Sequence, residues 1–120
     1  MSDEGDMPKP RRLLTLRAEQ DPAVRRDVLR RAIETRTFVT ATYNRGAVKL
    51  APHVLYERDD ALFVDAVTVE RDGQPPREAK LGAFRIAGLT NVRATTETFD
   101  AELDVPLEEP RYSAGILARV

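Results

Sequence analysis

Residues 61–70 read ALFVDAVTVE, the longest apolar and β-branched run in a chain of 120 residues. Arg58-Asp59-Asp60 ahead of it and Asp72-Gly73 behind it are turn chemistry, so the run is a strand with defined ends. Leu62, Val64 and Ala66 fall on one face; Phe63, Val67 and Val69 fall on the other. Both faces therefore need cover, which predicts an interior strand rather than an edge. Asp65 is the exception, since an unpaired buried carboxylate is costly. Arg85 or Arg93, a solvent channel or a ligand could each satisfy it.

Working outward from this strand, the period of two continues upstream. FVTATYN predicts a strand, Asn44-Arg45-Gly46 a tight turn, and AVKLAPHVLYE a second strand. Unbroken alternation would put Val48, Leu50, Val54 and Tyr56 on one side, with Lys49, Ala51 and His53 opposite. Pro52 cannot donate to a ladder, so this strand must lie at an edge, carry a bulge or bend there. Downstream, RDGQPPR is a loop, REAKL a short fourth strand ending at Gly82, FRIAGL a single helical turn, and NVRATTETF a fifth strand.

Ahead of the strands, Asp21-Pro22 starts a helix, the Asp capping free N–H groups and the Pro tolerated at the first position. It runs to about Arg36, with Val24, Val28, Leu29, Ala32 and Ile33 facing a core. Arg26, Arg30 and Arg31 lie opposite, interrupted by Asp27 and Glu34, as on an ordinary solvated helix face. Residues 1–12 are polar and aperiodic, which predicts a disordered lead-in, and Leu13, Leu14 and Leu16 would cover an edge of the core. After Phe99 the chain is acidic and contains proline, which predicts a solvated linker. The apolar Tyr112, Ile116, Leu117 and Val120 would then dock on this core or a partner's.

The predicted architecture is mainly β within the α+β class, a small five-stranded SH3-like or Sm-like barrel with an N-terminal helix. Its segments are an irregular start at 1–20, a barrel domain at 21–99 and an acidic tail with an apolar end at 100–120. Open edges and the apolar end predict a homodimer.

Charge is unevenly placed although the net value is only −1. Residues 7–36 hold nine Lys/Arg against four Asp/Glu, and residues 97–110 hold six acids and no base. The absence of cysteine rules out disulfides and thiolate metal sites. With one histidine, His53, and only Ser2 and Ser113 as serines, a Ser-His-Asp arrangement or a His-based metal centre has nothing to build on. The chain is therefore expected not to be an enzyme, to need no cofactor, and to be cytoplasmic with no membrane partner.

Several features occur in an order that resembles the WYL domain, over roughly residues 28–99. They are a helix bearing Leu29, Ala32 and Ile33, a strand ending in Tyr43, and Lys49 just ahead of Pro52. The triplet Leu62-Phe63-Val64 with Ala66, then Arg85-Ile86, and a closing Phe99 complete the series. Leu62 stands where the family has Trp, Phe63 lacks the family's hydroxyl, and Gly82 and Phe84 stand where Arg and Asp are common. Such domains are Sm-like barrels that usually follow a winged helix-turn-helix in bacterial transcription regulators, where they sense ligands. The resemblance implies a regulatory module that binds a nucleotide, a short single-stranded oligonucleotide or another phosphorylated ligand. About twenty residues precede the first helix, so a separate DNA-binding regulator is the expected partner. Candidate ligand residues are Tyr43, Lys49, His53, Tyr56, Phe63, Arg77, Lys80 and Arg85, the bases as a phosphate socket and a tyrosine as a stacking surface. The alternative is a protein-interaction domain that lends its edge strands to a regulator and takes no small ligand.

Overall fold

The computed structural model describes residues 20–101 and 104–120. The lead-in expected over 1–12, the leucines at 13, 14 and 16, and Ser2 lie outside these residues. Helix α1 spans Pro22–Thr35. Asp21 caps it, its carboxylate accepting from the Ala23 N–H at 2.8 Å. Arg36 closes it in the left-handed region at φ 55, its N–H donating to the Ala32 and Ile33 carbonyls. The buried face is Arg25, Leu29, Ala32 and Ile33. That stripe is rotated from the expected one: Val24 is 47% exposed, and Arg25 turns inward because its Nη1 reaches the Leu89 carbonyl at 2.8 Å. The chain enters the helix through Gln20, whose carboxamide both donates to the Val92 carbonyl and accepts from the Val92 N–H.

Six antiparallel strands follow: β1 (Thr37–Tyr43), β2 (Gly46–Arg58), β3 (Ala61–Arg71), β4 (Leu81–Arg85), β5 (Thr90–Thr98) and β6 (Ile116–Arg119). The order β4-β3-β2-β1-β5, with β6 added to β2, makes β3 an interior strand as its sequence demands. Two-residue turns with positive φ join the first three strands, Asn44-Arg45 between β1 and β2 and Asp59-Asp60 between β2 and β3. Gly46 follows the first turn, and a Cβ there would lie 2.9 Å from Arg71 Nη2, so a larger residue would displace the end of the Arg71 side chain. A 3-10 turn at Ile86–Gly88 carries the chain directly from β4, at one end of the order, to β5 at the other. So short a connection requires the sheet to coil strongly around its core.

The fourth strand begins later than REAKL. Residues 75–80, with Pro75-Pro76 lacking donors and charged side chains in solvent, form the loop; Gly82 sits mid-strand opposite Ala66. The mainly β class with an N-terminal helix is the observed one, and β6 is the strand that sequence periodicity did not announce. The last residues pair with β2 of their own chain, Val54 with Arg119 and Leu55 with Ala118. Nor is the acidic segment wholly solvated, since Val105 and Leu107 are partly buried.

Strand β2 is the hub, and Pro52-His53 is where it changes. Pro52 opposes Ala66 and Val54 opposes Asp65, so His53 is an extra residue without a partner on β3. On the other side of β2 the ladder to β1 ends at Leu50 and the ladder to β6 starts at Val54. Pro52, which has no N–H to offer, occupies the gap between the two partners. The bulge also reverses phase. Val48 and Leu50 point into the main core before it, Leu55 points there after it, and Val54 and Tyr56 face the opposite side. The expectation that Val48, Leu50, Val54 and Tyr56 share a face fails for this reason.

The main core gathers Leu29, Ile33, Val39, Leu50, Leu55, Val64, Leu89 and Val92 between α1 and the coiled sheet. Each such side chain contributes about 1.5–3 kcal/mol relative to exposure. The outer face of β2 and β3 carries a smaller cluster, Val54, Tyr56 and Tyr112, packed with Phe63, Val105 and Leu107.

Candidate functional site

The outer face of β2 and β3 is divided at the bulge. On the Tyr56 side, Asp65 is fully buried and accepts hydrogen bonds from two phenols, Tyr56 at 2.7 Å and Tyr112. Arg111 Nη1 lies 3.7 Å from the same carboxylate, and Arg111 Nη2 pairs with Glu109 at 3.0 Å. The partners expected for Asp65, Arg85 and Arg93, are not the ones it has, because the segment that brings Tyr112 and Arg111 covers this face. Burial, and after it the bond to Asp65, pushes both phenols well above their ordinary value. Phe63 stacks on Tyr56 at 5.9 Å and 23°, and the Arg58 guanidinium lies 5.8 Å from the Phe63 centroid. This half is closed.

The other half is open. A groove of about 450 Å³ is lined by Phe38, Ala51, His53, Val67, Val69, Ala79, Phe99 and Asp100, within the 300–1,000 Å³ range usual for small-molecule sites. Phe38 and Phe99 form an aromatic corner with centroids 5.3 Å apart and planes at 56°. The His53 ring lies against Phe99 at 5.3 Å. Its Nδ1 is 2.8 Å from the Ala51 carbonyl, which can only accept, so Nδ1 carries a proton. At the rim, the Lys49 ammonium sits 4.8 Å over the Phe38 ring and donates to Glu97. That hydrogen bond raises the Lys49 pKa, with Glu97 and Glu70 adding through their charge.

Lys49 and His53 thus flank one groove, and Tyr56 and Phe63 stack in the closed half. The remaining candidates lie elsewhere. Tyr43 packs edge-on against Phe84 at 5.1 Å, beside the main core. Arg77 and Lys80 are exposed on the β3–β4 loop, Lys80 paired with Glu78 at 3.3 Å. Arg85 opposes Phe63 on β4 whereas Lys49 opposes Glu70 on β2, seven residues further along β3. At about 3.3 Å per residue that is roughly 23 Å along the sheet. The phosphate socket expected of Lys49, Lys80 and Arg85 does not form.

On the helix, Arg30 pairs with Asp27 and Glu34, and Arg26 with Asp27. Among the described residues no cluster of three or more His, Cys, Asp or Glu could hold a metal ion, and no helix is long and apolar enough to cross a membrane. The sequence reading did not select Phe38, Val67, Val69, Phe99 and Asp100 as site residues. The available signal was parity: Phe38 alternates with the core residues Val39 and Ala41, which sends it to the outer face. No protein-family model matches the sequence, and neither the curated proteins nor the solved structures provide a match.

Proposed function

We propose that the protein is a small ligand-sensing module acting in regulation, with the ligand seated in the groove between Phe38, Phe99 and His53. The observation that carries this is the contrast across one strand. Polar and aromatic groups beyond the bulge are covered by the chain itself, whereas among the described residues a comparably aromatic surface before it is concave and uncovered. The resemblance to the WYL domain supports the regulatory role and a separate DNA-binding regulator as partner. A nucleotide would have to hold its phosphate without Arg85, which stands apart from Lys49 along the sheet. The test is titration of the ¹⁵N-labelled protein with a panel of small aromatic compounds. Saturable amide shifts at His53, Val67 and Phe99, lost in Phe99→Ala, are expected; shifts confined to other regions would reject the site.

A second role has its own observation. Ile116 and Leu117 are adjacent and 38% and 42% exposed on β6, whose one pairing among the described strands is to β2. An open apolar edge of this kind suits strand addition by a second copy or by a regulator. Light scattering on wild type and on Leu117→Lys tests it. A monomer in both would remove the self-association reading.

A further inference from the structure

Resting on the groove as the ligand site, we infer that its ligand is an organic cation, a primary or secondary ammonium carried on an apolar or aromatic body. The lining decides the sign. Five of the eight lining residues, Phe38, Val67, Val69, Ala79 and Phe99, are apolar side chains of the floor and walls, and Ala51 adds a sixth. The polar side chains are His53 and Asp100. His53 has its Nδ1 proton committed to the Ala51 carbonyl, so in the neutral ring Nε2 is left as a lone-pair acceptor, with no hydrogen bond to it among the described residues. Asp100 is exposed at the groove and makes no ion pair among the described residues. Both side chains are therefore acceptors, and a ligand that donates satisfies them.

Charge points the same way. Lys49, at the rim, is not part of the lining, and its ammonium is already bonded to Glu97 and acted on by Glu70. An anionic ligand would meet the Asp100 carboxylate in the lining and no basic side chain there, while Lys49 at the rim is already paired with Glu97. An ammonium would meet a free carboxylate and the faces of Phe38 and Phe99, whose ring quadrupoles attract cations. Lys49 over Phe38 with Glu97 behind it is an example, within the same surface, of an ammonium held by a ring face and a carboxylate together. Nucleotides and oligonucleotides, with their obligatory negative charge, suit this lining least.

The test uses three probes with one apolar body and different charge: 2-phenylethylammonium, 2-phenylethanol and 3-phenylpropionate, each titrated into the full-length ¹⁵N-labelled protein at low salt. A cation–π contact and an exposed ion pair together contribute about 1 kcal/mol or slightly more, roughly a five-fold change in affinity. The ammonium should bind about five-fold tighter than the alcohol, and the carboxylate weakest. Asp100→Asn should reduce the advantage of the ammonium to the part owed to the aromatic faces and leave the alcohol unchanged, while Phe99→Ala weakens all three. If the alcohol or the carboxylate binds as tightly as the ammonium, or Asp100→Asn changes nothing, the cation inference is overturned and the groove stands as a ligand site. If no probe moves groove resonances saturably, the groove itself is refuted.

Discussion

The two halves of the outer face of β2 have similar ingredients and opposite fates. Beyond Pro52-His53, Tyr56, Phe63 and Asp65 are covered by the segment that carries Tyr112, and every polar side-chain oxygen of Tyr56, Asp65 and Tyr112 has a partner. Before the bulge, Phe38, His53 and Phe99 are left around a concavity, and the acceptors His53 Nε2 and Asp100 have none among the described residues. Buried polar groups have to be satisfied internally, whereas an open site can leave that to a ligand. Satisfaction of the acceptors therefore separates structural from recognition surface here more sharply than residue type does.

The largest expected effect comes from breaking the closed half. Asp65→Ala leaves two buried phenols without their acceptor and Arg111 without its buried counter-charge, so unfolding in urea should show a loss of about 3 kcal/mol. Tyr112→Phe removes one hydrogen bond to a charged acceptor and keeps the ring, with an expected loss of about 1.5–2 kcal/mol in the same measurement. A loss as large as that of Asp65→Ala would mean that Tyr112 alone holds the closed half together.

Phe99→Ala acts on the open half. Because the ring is only partly buried, the expected cost is about 1–2 kcal/mol, below that of truncating a core phenylalanine, together with loss of probe binding. A larger cost would place Phe99 in the core and weaken the division between the halves.

Alkaline pH sharpens the same contrast. Tyr56 and Tyr112 are raised above the ordinary phenol value of 10.0, first by burial and then by the bond to Asp65. Their stabilising contribution is complete below that value and is lost as pH rises through their folded-state pKa values. Absorbance titration at 295 nm should show these two phenols ionising only with unfolding, and the midpoint in urea should fall above about pH 10. Ionisation of all three tyrosines without loss of structure would contradict the closed half. Smallest of all, Lys49→Met should leave the melting midpoint unchanged, because the Lys49–Glu97 pair is solvent-screened.

The fold was legible where local chemistry and burial agree. Asp21-Pro22, Asn44-Arg45 and Asp59-Asp60 each fix one turn or helix start by their own side chains, and the alternation in residues 61–70 gives an interior strand directly. The sequence also marked Pro52 as a place where β2 must be irregular. It did not say whether the irregularity would bend the strand or shift its phase, because a bulge is settled by what the neighbouring strands oppose to it. Val54 and Tyr56 were accordingly assigned to the wrong face. The site suffered most: Lys49 and Arg85 are near in an idealised register and far apart in the observed one. Docking of Tyr112 was expected, but Arg111 as its neighbour at Asp65 and the pairing of β6 were hidden for another reason, since a four-residue strand held by contacts distant in sequence has no period to recognise.

The single unpaired residue in β2 acts on geometry as an inserted base acts on a message. Unlike the base, it is absorbed where it stands: remove His53, and Pro52 opposite Ala66 and Val54 opposite Asp65 become neighbouring pairs of a regular ladder, with Val54 and Tyr56 still facing out and Leu55 still facing the core. A one-residue deletion at His53 would therefore leave the two sides of the sheet with their present tenants and cost the groove only its histidine.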